Sequence, residues 1–343
     1  MKKYGLMMLI FGAVIAAVPA VPAMLTRNEP AQSSAPASET LPDETEAETA
    51  KTAANTGNTE TIRMLDISTG EVLSLSMRDY IIGAVCAEMP ASFESEALKA
   101  QAVAVHTYAV RQQQLEARSS TPELQGASLS NDSSRYQAYF TKSQAMQFYG
   151  TGFDSAYEKI TAAVDEVLPY ILTYEDEPVL AAFCSMSSGS TESAENVWGQ
   201  AVPYLVPADS TADENAPNFL TETEFTAAGL KALLEKAFPE ADFSSPVEEW
   251  LRVTEESDSG TVLTAEAGGA PVTGQQVRTA LSLRSAAFEV RWDGNMCTVI
   301  TKGCGHGVGM SQYGADAMAR AGSDWREILM HYYKGAEIEA SGS

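Results

Sequence analysis

The stretch AQAVAVHTYAV, from Ala100 to Val110, limits most what this chain can fold into. It lies inside a predicted helix running from about Glu94 to Gln114 and is apolar nearly all round. A helix with no wet face has to be buried, so it should form the centre of the folded region, with other elements wrapped around it. At 343 residues and 45% hydrophobic content, the chain has enough apolar material for such a core, and its length would allow two domains.

The segments on either side supply candidate wrapping elements. MRDYIIGAVCAEM, Met77 to Met89, is helical in character and is stopped by Pro90. Ahead of it, apolar runs around Ile62–Ile67 and Val72–Leu75 flank the turn residues Ser68-Thr69-Gly70 and read as a hairpin. Gly126 to Tyr139 reads as a polar loop; Lys142 to Gly150 and Ala156 to Asp165 read as helices. Tyr170–Tyr174 and Val179–Phe183 flank Glu175-Asp176-Glu177-Pro178 as a second hairpin. Thr223 to Phe238 carries an apolar stripe (Phe225, Leu230, Leu233, Leu234 and Phe238) and predicts an amphipathic helix. Strands follow at Trp250–Val253, Thr261–Ala265, Phe288–Trp292 and Cys297–Thr301, with a short helix over Gly274–Leu281. Two last helices, about Ser311–Ala321 and Ser323–Lys334, are followed by Gly322 and Gly335 at carboxyl-cap positions. The expected class is α+β, a buried central helix and carboxyl-terminal helices packed with antiparallel β elements.

The amino terminus reads differently. Lys2 and Lys3 precede an uncharged apolar run from Tyr4 to Leu25. About 22 residues at ~1.5 Å each would cover ~33 Å, enough for the hydrocarbon layer. The lysines place the amino terminus in the cytoplasm and the rest outside. Residues 1–25 are thus an expected membrane anchor, the competing reading being a signal peptide cleaved near Val18-Pro19-Ala20 or Val21-Pro22-Ala23. Residues 26–60, rich in Pro, Ala, Ser, Thr and Glu, form an expected disordered acidic linker. The folded domain is expected over 61–340.

A net charge of −24 without a Lys/Arg cluster excludes nucleic acid as a partner. The four cysteines, Cys86, Cys184, Cys297 and Cys304, form no C-x-x-C pair, which argues against a thioredoxin-like motif or zinc knuckle. An exported chain could join them in one or two disulfides, but their spacing specifies no pairing.

Two strings carry a family likeness: MRDYIIGAVCAEMPASFESEALKAQAVAVHTYAV (Met77–Val110) and KGCGHGVGMSQYGADAMARAG (Lys302–Gly322). FCSMSSGSTESAENVWG (Phe183–Gly199) and GQQVRTALSLRSAAFEV (Gly274–Val290) fit the same pattern. Together they resemble the domain shared by stage II sporulation protein D and the amidase-enhancer proteins, over essentially all of 61–340. The resemblance implies a membrane-anchored peptidoglycan lytic transglycosylase acting in engulfment during sporulation, in the space between the membranes. It implies glycan strands stripped of stem peptides as substrate, with a cell-wall amidase (stage II sporulation protein P) and a membrane scaffold (stage II sporulation protein M) as partners. Glu88, in A-E-M-P, is the implied catalytic acid.

The residues around Glu88 support that chemistry independently. Glycan cleavage needs a carboxylic acid that is still protonated near neutral pH. Glu88 sits among Ile82, Val85, Cys86, Ala87, Met89 and Pro90, with no adjacent Lys or Arg, and apolar burial raises a carboxyl pKa. A lytic transglycosylase needs no second carboxylate, because muramic acid's own 6-hydroxyl attacks. A hydrolase would need one, from Glu94, Glu96, Glu192 or Glu195. The bland alternative for Glu88 is a solvent-facing carboxylate at a helix end.

Other candidates are weaker. The glycine run Gly303–Gly309 could approach a sugar closely; His306 could donate to it, Ser311 could cap the next helix and Gln312 could bind substrate. The null case is a packed turn with His306 as its satisfied polar group. Ser185, Ser187 and Ser188 lie in a hydroxyl-rich loop that only partly matches the Ser-Thr-Ser-Gly-Gly string common in relatives. Tyr108 is a candidate groove residue, and Trp198 is either a stacking surface or core. Some family members are expected to bind zinc through His and Cys after the central helix; SLSNDSSRYQAYF (Ser128–Phe140) has neither. Cys304, His306, His106 and Cys184 lack the spacing of a standard site, so no metal or other cofactor is expected. A non-catalytic peptidoglycan-binding activator of a cell-wall amidase is the main rival reading, and a structural tether the last.

Overall fold

The computed structural model describes residues 60–294 and 296–341. The anchor expected over 1–25 and, Glu60 aside, the linker expected over 26–60 lie outside them. Among the described residues no helix is long and apolar enough to cross a membrane.

The central helix runs over Ser95–Arg118, and every residue from Ala97 to Thr107 is buried. Alanines at 97, 100, 102, 104 and 109 give it a thin waist, so neighbouring backbones can pack close to it. Helices Met77–Glu88, Phe153–Val167, Gln312–Arg320 and Trp325–Tyr332 and strand Tyr170–Tyr174 all pack against it. The fold is α+β, as the pattern predicts.

Among the described residues there are two large hydrophobic cores and a small third cluster of Leu65, Leu124 and Ala127. The larger surrounds the central helix and draws on residues from Ile62 to Ala208 and from Val308 to Ala336. The second lies between those stretches in the chain and joins Leu230, Leu234, Trp250, Val262, Val277, Phe288 and Val299, among others. It is built on two three-stranded antiparallel sheets. One sets Met296–Lys302 between Phe288–Asp293 and Leu220–Thr226; the other sets Val262–Ala267 between Leu251–Glu256 and Ala270–Thr273.

Three details depart from the sequence pattern. The helix predicted from Thr223 begins only at Ala227, because LTETEFT pairs as an edge strand with Met296–Lys302. Thr226 then caps the helix by accepting the Gly229 N–H at 3.1 Å. Only Glu177–Pro178 returns along Tyr170–Tyr174, while Phe183–Cys184 leaves to pair with Met310–Ser311. That pairing and the one between Thr61–Asp66 and Leu129–Ser130 are parallel, so the β elements are not all antiparallel. Long-range partners decide such choices, and local periodicity does not report them.

Candidate active site

Glu88 is the last residue of helix Met77–Glu88, which Ser76 caps by accepting the Asp79 N–H at 3.0 Å. Met89 turns to extended backbone and Pro90 cannot continue the helix. The carboxyl end of a helix is its negative pole, which disfavours another negative charge. Glu88 is 6% exposed, and its Oε1 accepts one hydrogen bond, from the Ala138 N–H at 2.7 Å. Burial pushes its pKa up to about 7, and that amide bond holds it back only in part.

The loop that supplies Ala138 lies directly on the acid-bearing helix because residue 83 is glycine. A Cβ at Gly83 would fall 2.4 Å from the Tyr139 ring and 2.5 Å from the Phe140 carbonyl oxygen. Instead Phe140 N–H bonds the Gly83 carbonyl at 3.1 Å, and Tyr139 stacks on Tyr80 with ring centres 5.8 Å apart. Gly83→Ala is expected to lift this loop and expose Glu88. The carboxyl pKa should then fall toward the ordinary value of ~4.3. Titration of Glu88 by carbon-13 NMR in parent and variant checks this; an unchanged pKa would refute it.

Glu88 opens onto a cavity of about 160 Å³ and is the only carboxylate among the residues lining it. Asn131, Ser133, Tyr139 and Phe140 line it from the loop, and Ser185, Gly305, His306 and Gln312 line it from the other segments. The glycine run and the serine loop are joined by paired backbone bonds between Met186 and Cys304, at 3.1 and 2.9 Å, and by Glu192 N–H to the Gly307 carbonyl at 2.8 Å. Gly309 has φ +76°, and a Cβ there would lie 2.0 Å from the Ala182 carbonyl oxygen. Only glycine fits that turn.

His306 is 4% exposed, and its Nδ1 accepts the Val308 N–H at 3.0 Å, which assigns the ring proton to Nε2. Burial, with a smaller effect from the Arg278 charge, lowers its pKa to about 4, so the ring is neutral at pH 7. The Phe183 carbonyl is near enough to favour the charged ring slightly, yet Nε2 makes no well-formed hydrogen bond. Gln312 follows Ser311, which caps its helix by accepting the Gly314 N–H at 3.1 Å, and its Nε2 donates to Gln101 Oε1 at 3.4 Å.

The structure therefore brings Glu88, Ser185, His306 and Gln312 together. Ser187 and Ser188 are not in this lining: the Ser187 hydroxyl donates to Asp213 Oδ2 at 2.7 Å and that of Ser188 to the Ser259 carbonyl at 2.6 Å. Tyr108 is also outside the lining; burial raises its hydroxyl pKa, with Tyr136 and then Glu88 adding to the effect. Glu94 and Glu96 are not in this lining: Glu94 is exposed, and Glu96 pairs with Lys99. Glu192 is buried and accepts from Ser193, Asn196 and Ser257. The four cysteines are buried free thiols. His106 Nδ1 lies 3.0 Å from the Tyr170 carbonyl, and among the described residues no three His, Cys, Asp or Glu are grouped to hold a metal ion. Sequence reasoning missed Asn131, Ser133, Tyr139 and Phe140; two aromatics at the end of an otherwise polar loop were the available signal.

Residues 66–174 match the profile of the family described as Stage II sporulation protein. Stage II sporulation protein D of Bacillus subtilis (strain 168) is 40% identical over 267 residues, 78% of this chain and 75% of that protein. The protein of the same name from Bacillus amyloliquefaciens is 38% identical, over 80% of this chain and 78% of its own. The chain belongs to the stage II sporulation protein D family. The family likeness extends to a B. subtilis protein named Amidase enhancer, 28% identical over 75% of this chain and 40% of that one. Glu88, the serine loop and the glycine run all fall in the part of the chain that carries the family strings.

Proposed function

We propose that this family member is a lytic transglycosylase that cleaves peptidoglycan glycan strands to 1,6-anhydro-muramic ends. The observation that carries the reading is Glu88: one buried carboxyl, half-protonated near pH 7, with no second carboxylate in its cavity. Glu88 gives its proton to the glycosidic oxygen as the C1–O bond breaks. The 6-hydroxyl oxygen of the same muramic residue closes on C1, and its proton passes back to Glu88. No water is consumed, so one carboxyl serves as acid and then as base. The ring's own hydroxyl supplies the effective concentration that a free nucleophile lacks.

The uncharged run after Lys2 and Lys3 supports export and tethering of the domain by the amino-terminal segment, with the amino terminus cytoplasmic. Peptide-stripped strands as substrate would place the chain after an amidase. Stage II sporulation proteins P and M are the proposed amidase and membrane partners. The relative named Amidase enhancer keeps a second reading open, in which the domain binds glycan and stimulates an amidase without cutting.

Digestion of purified peptide-stripped strands, with mass spectrometry of the fragments, separates these readings. Anhydro ends support the transglycosylase, reducing ends indicate a hydrolase, and no cleavage leaves the activator or the structural tether. The pH profile carries a further expectation. Above the Glu88 pKa of about 7 the protonated acid becomes scarce, so kcat should fall ~10-fold per pH unit. A rate flat from pH 7 to 9 would exclude Glu88 as the acid.

A further inference from the structure

Trp198 is the most exposed of the four tryptophans, at 37%; Trp250 and Trp325 are buried and Trp292 is half-buried. It ends the short helix Ala194–Trp198, and its ring meets that of His306 with centres 5.3 Å apart and planes tilted by 51°. His306 lines the Glu88 cavity, so the indole stands immediately beside that cavity's wall.

The indole's support is more rigid than a surface side chain needs. Buried Glu192 accepts the Ser193 N–H at 2.7 Å and Asn196 Nδ2 at 2.9 Å, and also receives the Ser257 hydroxyl from the second core's turn. The Ser193 side chain caps the helix by accepting the Asn196 N–H at 3.2 Å. Ala194 N–H bonds the Leu205 carbonyl at 3.0 Å, and Val197 packs on the larger core. At the far end Gly199, at φ +74°, closes the helix by donating to the Glu195 carbonyl at 2.8 Å. Glu192 itself is tied by its backbone to Gly307 in the glycine run. The short helix that carries Trp198 is thus joined by hydrogen bonds to the glycine run that forms part of the cavity wall. What sets this exposed ring apart is its place against the cavity wall, where a ligand seated in the cavity would cover it and remove apolar surface from water.

We propose that Trp198 forms a sugar-stacking subsite that extends the cleft beyond His306 and holds a pyranose ring next to the one being cleaved. This rests on the glycan-cleaving reading of Glu88. A pyranose has a flat C–H face with hydroxyls at its edge, and an indole offers an apolar face with a polar rim, so the two surfaces match. Tyr139 and Phe140 line the cavity from the loop side. A strand lying across Glu88 would then meet an aromatic surface on each side of the acid. Trp198 provides a surface for the next ring just beyond the cavity.

The test uses the full-length chain carrying Glu88→Gln, with purified peptide-stripped glycan strands as probe. Adding strands is expected to shift tryptophan emission to shorter wavelength, because the most exposed indole becomes covered. Adding Trp198→Ala should weaken strand binding by ~10-fold, the size of one stacking contact. Trp198→Phe should keep binding within ~3-fold while abolishing the emission shift. Equal strand affinity with and without Trp198→Ala would overturn the subsite and leave the reading of Glu88 intact. If the alanine variant does not fold, strand binding by the Glu88→Gln chain without an emission shift overturns it instead. Cleavage by Glu88→Gln would reject the enzyme reading itself, whatever Trp198 does.

Discussion

Replacing Glu88 by glutamine is expected to abolish glycan cleavage, and above neutral pH to leave a chain more stable than the parent. The two effects have one cause. Glutamine keeps the size of the side chain and an oxygen to accept the Ala138 N–H, but has no proton to donate. Loss of a general acid typically costs ~10²- to 10⁴-fold in rate. The carboxyl proposed as the acid also burdens the fold. Its pKa is about 7 when folded and ~4.3 when unfolded. A raised folded pKa gives stability that is complete below the unfolded value and is lost as pH rises through the folded one. Between pH 4 and pH 8 the parent should therefore lose stability of order 3 kcal/mol through this residue, since each pKa unit is worth ~1.4 kcal/mol. Glu88→Gln has no such loss. Urea melts at pH 4 and pH 8 should show the variant gaining on the parent only at the higher pH. Retained cleavage would end the catalytic assignment; equal stability at both pH values would show that Glu88 is not buried as a neutral acid.

The burial of Glu88 was legible in the sequence because its environment is local. Ile82, Val85, Cys86 and Pro90 lie within six residues of Glu88, and the same apolar helix that predicts burial provides it. The central helix was legible for a similar reason: its missing wet face is a property of one segment, and only its ends moved, from Glu94–Gln114 to Ser95–Arg118. The Ser311 cap was likewise readable. The other wall of the cavity was not. Tyr139 reaches the cavity only because Gly83, more than fifty residues earlier, has no side chain, and one isolated glycine in a helix does not name its neighbour. The edge strand Leu220–Thr226 was hidden because its partner is some seventy residues away. Ser187 and Ser188 looked like substrate residues because hydroxyls in a loop beside a strand are common in sites. Their side chains instead bond Asp213 and the Ser259 carbonyl, inside the protein. The resemblance located the segments that build the site, and packing decided which side chains face the cavity.

Asp213→Ala is expected to be the most damaging substitution among those remote from the cavity. Asp213 is 0% exposed and gathers segments that are distant in sequence. Its Oδ2 accepts the Ser187 N–H and hydroxyl, both at 2.7 Å, and the Ser210 hydroxyl at 3.0 Å. Its Oδ1 accepts the Ser311 hydroxyl at 2.8 Å. Burial raises its pKa despite these four bonds. Alanine would leave one buried N–H and three hydroxyls without this partner. At ~1–3 kcal/mol for each group that stays unsatisfied, and with some hydroxyls free to turn elsewhere, the loss should be ~3–5 kcal/mol. At ~2–4 °C per kcal/mol for a domain of this size, the melting temperature should drop by ~6–20 °C. Activity should fall with it. Asp213 fixes the serine loop through Ser187 and the helix cap through Ser311, so Ser185 and Gln312 beside Glu88 are both set by one carboxylate. Asp213→Asn keeps an acceptor and the shape, so it should lose less than alanine in both measurements. A melting temperature within 2 °C of the parent for Asp213→Ala, by calorimetry, would mean that the serine loop and the helix cap are held by something else.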